Sequence, residues 1–332
     1  VEDALAIPVV IMGLGEVGQA ITRAVLTVPE LEIVGALDLS PERIGKTLGE
    51  VTQSPPNDVV VTDKPDEVYR AAKGGVLLHA AGSRLEQVAG DIETAIKAGL
   101  SVVSTCEELA CPWVRNPKIA EHLDRLAQKR GTTVLGTGVN PGFILDRLVA
   151  TLAQVVGRVE RVHGIRVVDA SFRREALQRK IGAGLTEAEF NVAVDKGAVG
   201  HVGLMESVAL CAMGIGHSVD EVDEEILPVF AEAPLKSLVG RVEAGRVAGV
   251  RQIARAFDEG SEVARLDLTI ALGAANPRDE ISIVGKPSLT MQIPGGTPGD
   301  EATPWAVVHA AALLGQGAEP GLITVLDLPA GR

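Results

Sequence analysis

Aromatic side chains are nearly missing from this 332-residue chain: they make up 2% of it, although 46% is hydrophobic. The core must therefore be assembled from Ala, Val, Leu and Ile, and any ligand pocket is mainly aliphatic. Cysteine is as scarce. Cys106, Cys111 and Cys211 form no C-x-x-C pair and the six histidines no H-x-x-x-H pair, so neither a metal site nor a disulfide framework is expected, which suits a reducing cytoplasm. Positive charge is in deficit, with 31 Lys and Arg against 44 Asp and Glu and a formal charge of −13. Without a basic stripe a nucleic-acid partner is not expected, and a small ligand is. No apolar run approaches the ~20 residues that cross a bilayer, and the N-terminus carries no basic-then-apolar leader, so the expectation is a soluble cytoplasmic protein with no membrane partner. The length exceeds one typical domain, and two are the default.

What the chain does have is an apolar run, Val9-Val10-Ile11-Met12, that breaks into Gly13-Leu14-Gly15-Glu16-Val17-Gly18 and continues as the amphipathic stretch Gln19 to Leu26. In such a turn the first glycine allows the tight bend, the second lets backbone approach a pyrophosphate, and the third lets helix and strand pack closely. The helix start adds unpaired amides and a positive dipole end. A second strand, Leu31 to Leu37, ends in Asp38, about 20 residues on, where an acidic side chain binds adenosine ribose hydroxyls. A strand before, a helix after and an acid at this distance point to a dinucleotide site. Leu39 and Ser40 follow Asp38, and Ser40 to Lys46 reads as a short helix with Ser40 as N-cap and Pro41 in its first turn. Arg43 and Lys46 could meet a 2′-phosphate, so Asp38 favours NAD and leaves NADP open.

Short apolar runs then alternate with helical segments: Val59 to Thr62, Pro65 to Lys73, Val76 to Ala80, Leu85 to Ala98, Ser101 to Ser104, Pro117 to Arg130 and Thr132 to Leu135. This alternation predicts a parallel, doubly wound α/β sheet. Ligands in such sheets lie beyond the carboxyl ends of the strands, which singles out His79 to Arg84 (with Ala81, Gly82 and Ser83), Ser104 to Glu108 (with Thr105) and Gly136 to Gly142 (with Asn140 and Pro141). A helix is expected over Phe143 to Leu152. From about Glu160 the pattern changes to a strand, Val162 to Ala170, two helical stretches, Thr186 to Val194 and Val202 to Met213, and four strand-like runs. Those runs are Lys236 to Glu243, Val247 to Ala256, Glu262 to Leu272 and Glu280 to Gln292. Short turns between consecutive strands predict a second, α+β domain with a mixed or antiparallel sheet that could meet a second subunit. The expected boundaries are 1–142 for dinucleotide binding, 143–299 for substrate and dimerisation, and 300–332 for a helix (Ala302 to Leu314) and tail returning to the first domain.

Ser104-Thr105-Cys106-Glu107-Glu108 places two adjacent carboxylates at a strand end facing the crevice. A carboxylate there can hold an ammonium or iminium and move a proton while hydride transfers; plain solvated charge or a helix N-terminal turn is the bland reading of the same residues. Cys106 could instead be a thiolate nucleophile, but its acidic neighbours oppose the ionisation that role needs, so it reads as packing. Asn140 can point into the crevice or cap the next helix. His163, His201 and His217 are possible acid-base groups, and Arg166, Arg173, Arg174 and Lys180 possible holders of a substrate carboxylate.

At these residues the chain resembles the 2,4-diaminopentanoate dehydrogenase family, which includes native amine dehydrogenases and is related to dihydrodipicolinate reductase. The stretches that carry the resemblance are Gly13 to Gly18, His79 to Arg84, Ser104 to Leu109, Gly136 to Phe143, Lys180 to Leu185 and Gly200 to Gly203. The resemblance implies a homodimeric Rossmann protein that oxidatively deaminates an amine with NAD or NADP, reversibly, as reductive amination of a small aliphatic ketone or keto acid with ammonia. It also implies that Glu107 or Glu108 is the essential acid. Phe143, His163, Asp169, Phe172, Arg173 and His201 are the expected substrate-side residues. The reductases carry an adjacent His-His pair; the corresponding region here reads Asp169-Ala170-Ser171-Phe172-Arg173-Arg174, which sets that activity aside. A dihydrodipicolinate reductase-like imine reductase or a semialdehyde dehydrogenase is the alternative enzyme, and a nucleotide-sensing protein without turnover the non-enzymatic one.

Overall fold

The computed structural model describes residues 6–329; the outer ends of the expected first and third segments, 1–5 and 330–332, lie outside the described residues. Among the described residues the chain divides into two compact units, one that runs through Phe143 and resumes at Pro298, and one of Ile144–Thr297.

The first unit alternates strand and helix: β1 (Ile7–Met12), α1 (Glu16–Val25), β2 (Leu31–Leu37), α2 (Leu48–Thr52), β3 (Val61–Thr62), α3 (Pro65–Ala71), β4 (Val76–His79), α4 (Leu85–Ala98), β5 (Ser101–Ser104), α5 (Pro117–Arg130) and β6 (Thr133–Gly136). Both long helices, α4 and α5, stop at a glycine in the left-handed conformation, Gly99 and Gly131, a residue type that meets no Cβ penalty there. Between β2 and β3 the expected helix at Ser40 to Lys46 is a set of turns. The Asp38 carboxylate captures the Ser40 amide, and Gly45 and Lys46 hydrogen-bond back to Val61, so the backbone reverses before a helix can propagate.

In the second unit α6 (Arg147–Ala153), β7 (Val159–Asp169), α7 (Glu175–Lys180), α8 (Glu187–Asp195) and α9 (Leu204–Gly214) precede β8 (Glu221–Phe230), β9 (Leu235–Ser237), β10 (Gly240–Val242), β11 (Val247–Asp258), β12 (Ser261–Ala271), β13 (Arg278–Gly285) and β14 (Leu289–Pro294). The helix expected from Phe143 begins only at Arg147, whose amide is captured by the Asp146 carboxylate. Lys236 to Glu243 and Glu280 to Gln292 each prove to be hairpins rather than single strands. The six-stranded sheet has the order β14-β13-β7-β12-β11-β8 and is mixed, because β7 runs parallel to β12 while its other pairings are antiparallel. One face buries Gly164, Ala254, Leu266, Leu268, Ile281 and Ile283, and the other carries His163, Arg251, Arg255, Arg265 and Asp267.

The chain then returns to the first unit through α10 (Gly299–Gly315), which packs against α1, β4 and β5, and adds β15 (Gly321–Ile323) beside β6. The parallel sheet reads β15-β6-β5-β4-β1-β2-β3, the doubly wound Rossmann order with one strand added. Strand order reverses between β1 and β4, and the crevice outside their carboxyl ends is where ligands of such sheets bind. Val9, Val10, Ile11, Leu77, Leu78, Val102, Val103, Val134 and Leu135 are each at most 1% exposed, so the strand ends flanking that crevice are anchored in a dry aliphatic core.

Candidate active site

The glycine loop is fixed by close backbone contact. Gly13 has φ of +84°, and a Cβ on Gly18 would overlap the Gly13 carbonyl oxygen, so α1 can start this near β1 only with glycine at 18. Around Gly15, by contrast, a Cβ would meet nothing within 4 Å, and no side chain caps the ten-residue α1. Open space above an uncapped helix N-terminus fits a pyrophosphate. Gly18→Ala should therefore push α1 off the loop, with a stability loss of about 1–3 kcal/mol and weakened dinucleotide binding; urea denaturation and a dinucleotide titration check both.

Asp38 braces the same loop from β2. One carboxylate oxygen accepts the Leu14 amide at 2.6 Å and the other the Ser40 amide at 2.7 Å, and Arg43 Nη1 lies 3.1 Å away. Burial by itself raises this carboxyl, but the Ser40 and Leu14 amides and the Arg43 guanidinium outweigh it and hold it below the usual carboxylate range. Leu39 beside it is 82% exposed. The acid is thus ionised, shared with an arginine, and next to an open apolar surface.

Beyond β4 and β5 the two adjacent glutamates separate in role. Residues Glu107–Leu109 form one 3₁₀ turn. Glu108 is 4% exposed and turns inward: its carboxylate accepts the Leu85 amide at 2.8 Å, with Arg84 Nη1 and Asn116 Nδ2 each at 3.4 Å. Leu85 opens α4, whose N-cap residue Arg84 makes no side-chain capping bond. Glu108 does that work from another segment, satisfying an orphan amide at the positive end of the helix. Glu108→Ala should cost about 1–3 kcal/mol of stability, the usual penalty for a buried donor left unpaired, with its effect read in the urea midpoint. Glu107 is half-buried. Burial first, and then the Glu107 charge, push the Cys106 thiol up to about 12, so Cys106 is packing and not a thiolate.

The remaining cofactor-side residues divide by exposure. Ala81 is exposed, and Gly82, Ser83, Thr105 and Asn140 are half-buried along the strand ends. Pro141 and Gly142 are buried in the turn after β6, where a Cβ on Gly142 would overlap the Gly138 amide. Thr303 of α10 is beside this turn, 3.6 Å from where a Cβ on Gly138 would be. His79 and Ser104 are fully buried, and their side chains bond to each other. Their contribution is to hold the strand ends.

The substrate-side candidates come from both units. Phe143, 42% exposed, belongs to the first unit and the other five to the second. His163 lies on the charged face of the mixed sheet, 2.9 Å from Asp267, which also takes Arg251 and Arg265. One oxygen of Asp169 accepts the Ser171 amide, the Ser171 hydroxyl and the Gly273 amide, which makes it a loop brace. Phe172 stands 95% exposed on that loop, and Gln178 fixes the loop by donating to the carbonyls of Ala170, Ser171 and Arg173. Gln252 clamps the His201 backbone from both sides at 2.8 Å. Sequence spacing gave no signal for Gln178, Gln252, Asn116 or Thr303, whose contacts follow no helical or strand period.

Comparison with known proteins places the chain among relatives over nearly its whole length. Residues 143–332 match the model of the 2,4-diaminopentanoate dehydrogenase C-terminal domain, and residues 7–106 that of the dihydrodipicolinate reductase N-terminus. A 2,4-diaminopentanoate dehydrogenase of Acetoanaerobium sticklandii is 30% identical over 98% of this chain and 94% of its own length. An amine dehydrogenase of Streptomyces virginiae is 22% identical over 97% and 96%. The solved amine dehydrogenase from Mycobacterium smegmatis, 24% identical, shares the fold with a TM-score of 0.85 over 97% of this chain and 96% of that one. With the match to the C-terminal domain covering more than half of its length, the chain belongs to the 2,4-diaminopentanoate dehydrogenase family.

Proposed function

We propose that the chain is an NAD(P)-dependent amine dehydrogenase that interconverts an amine with a small aliphatic ketone or keto acid and ammonia, with Glu107 as its acid-base group. The observation that carries this is the place of Glu107, half-buried on the turn that leaves β5 at the ligand end of the sheet, while the Glu108 carboxylate accepts the Leu85 amide that opens α4.

The Gly13 to Gly18 loop and the start of α1 hold the pyrophosphate, and Asp38 holds the adenosine ribose beside Leu39. Arg43, paired with Asp38, and Ser40 are placed to serve a 2′-phosphate. When bound, the dinucleotide supplies the two-electron hydride acceptor or donor. In the oxidative direction the Glu107 carboxylate takes a proton from the substrate ammonium, which frees the nitrogen lone pair that drives hydride from the adjacent carbon. Glu107 passes that proton to solvent, and its restored negative charge stabilises the iminium; it then accepts a proton from the water that attacks the iminium carbon and returns it to the nitrogen, so that ammonia departs as the ketone forms. Residues 1–142 and 300–332 form the dinucleotide-binding part and 143–299 the substrate and dimerisation part.

A screen of NAD⁺ and NADP⁺ reduction over short amines, amino acids and diamines tests the reading, with ammonia-dependent oxidation of NAD(P)H on ketones as the reverse assay. Reduction with none of them, and NAD(P)H oxidation independent of ammonia, would overturn it. We further propose a homodimer through the charged face of the mixed sheet. That face supplies both signs, with Arg255 near Asp223, Glu225 and Glu262 and with Asp267 amid His163, Arg251 and Arg265. Light scattering should give the mass of two chains, and a single-chain mass at micromolar concentration would refute it. The buried thiols of Cys106, Cys111 and Cys211 suit a cytoplasmic location.

A further inference from the structure

We propose that His79 is a positioning residue for the turn that carries Glu107, acting through the hydroxyl of Ser104; this rests on the acid-base role assigned to Glu107. His79 is the last residue of β4 and Ser104 the last of β5, in register with one another. His79 Nδ1 lies 2.7 Å from Ser104 Oγ, and that oxygen accepts the Cys106 amide at 3.0 Å. Cys106 is the residue from which the 3₁₀ turn Glu107–Leu109 starts.

Backbone bonds already tie the strand ends together, with the Thr105 amide on the His79 carbonyl and the Thr137 amide on the Ser104 carbonyl, each at 2.9 Å. They fix the chain up to Thr105. Past that point the turn is held at its start by the Cys106 amide on Ser104 Oγ and at Glu108 by bonds to Ser83 and Leu85, so the placing of Glu107 between them depends in part on Ser104 Oγ. A serine hydroxyl has three staggered positions of similar energy; the bond to His79 selects the one that faces Cys106.

Ser104, His79 and Asp91 also have the composition of a hydrolytic triad, with His79 Nε2 3.9 Å from Asp91 Oδ2. The surroundings exclude that chemistry. Ser104 is fully buried and its oxygen is already an acceptor for a backbone amide, while a nucleophile needs an oxygen open to its electrophile. Packing does not account for the ring either. His79 Nε2 is buried without a hydrogen-bond partner, which is unfavourable, and an apolar side chain of similar size would fill the same space. What the imidazole adds is Nδ1, and Nδ1 reaches Ser104.

The test compares His79→Leu, Ser104→Ala, His79→Asn and Glu107→Gln in the full chain. His79→Leu and Ser104→Ala should each lower kcat about 10–100-fold, the scale of a displaced catalytic group, while the dinucleotide Kd changes by less than about 2-fold. In the chain without cofactor, amide exchange across Cys106–Leu109 should rise in both. Asparagine places a polar atom where Nδ1 was, so His79→Asn should recover most of the loss in both readouts. Should His79→Leu fail to fold, Ser104→Ala removes the same bond from the other side. If Glu107→Gln loses activity while His79→Leu and Ser104→Ala keep wild-type kcat and exchange, the positioning role alone is refuted. Equal losses in His79→Asn and His79→Leu also refute it, because the ring would then matter only as packing. If Glu107→Gln turns over at the wild-type rate, the role of Glu107 fails and the inference with it.

Discussion

Glu107→Gln should lower kcat for amine oxidation by about 10²–10⁴-fold, the usual contribution of a general acid-base group, and leave the dinucleotide Kd unchanged. The substitution keeps the size of the side chain and removes both its charge and its proton affinity. Two steps then fail together: the substrate ammonium loses its proton acceptor, and the iminium loses the negative charge that stabilises it. Reductive amination should fall by a similar factor, because the same carboxyl group must return those protons. Steady-state rates in both directions, with cofactor fluorescence for Kd, decide it. Glu108→Gln is the internal contrast, since Glu108 accepts the Leu85 amide and an amide oxygen can still accept there. A wild-type kcat in Glu107→Gln, or a larger loss in Glu108→Gln, would exchange or remove the assignment.

How far this site could be read from sequence differs from segment to segment. The first unit was legible because local chemistry and tertiary structure agree: glycines at the α1 turn, apolar runs for the strands, and glycine after α4 and α5. The expected spans Leu85 to Ala98, Ser101 to Ser104 and Pro117 to Arg130 coincide with α4, β5 and α5. The mixed sheet was harder. β8 is an edge strand, acidic and containing Pro228, and an edge tolerates what a central strand does not. The Lys286-Pro287 turn splits what looks like one apolar run into β13 and β14. Within the site, adjacency in sequence hid a difference in space. Glu107 and Glu108 look equivalent as a pair, yet one 3₁₀ turn sends them to different surroundings, and the partners that engage Glu108 come from Arg84, Leu85 and Asn116. No periodicity reveals a 25-residue link such as that between His79 and Ser104.

Acidification should destabilise the fold through His79. Burial depresses the pKa of this ring from 6.5 to about 4, so the folded chain holds it neutral while the unfolded chain binds a proton near the ordinary value. Between those two values the unfolded state binds more protons, and stability must rise with pH. The contribution is fully present above pH 6.5, declines as pH falls through the window to about 4, and is constant below it. A depression of that size corresponds to about 3 kcal/mol for a fully buried ring. Proximity of Asp91 Oδ2, 3.9 Å from Nε2, does not reverse the sign, because its carboxyl is itself raised by burial and is less available as a counter-charge when the ring would need one. Urea midpoints of wild type and His79→Asn, followed from pH 7 to pH 4, isolate the term: the wild type should lose about 3 kcal/mol more than the variant, since asparagine has no proton to bind in that range. Parallel curves for the two proteins would show that the ring is hydrated or charged in the folded state, and the dry contact between the ends of β4 and β5 that orients the Glu107 turn would have to be abandoned.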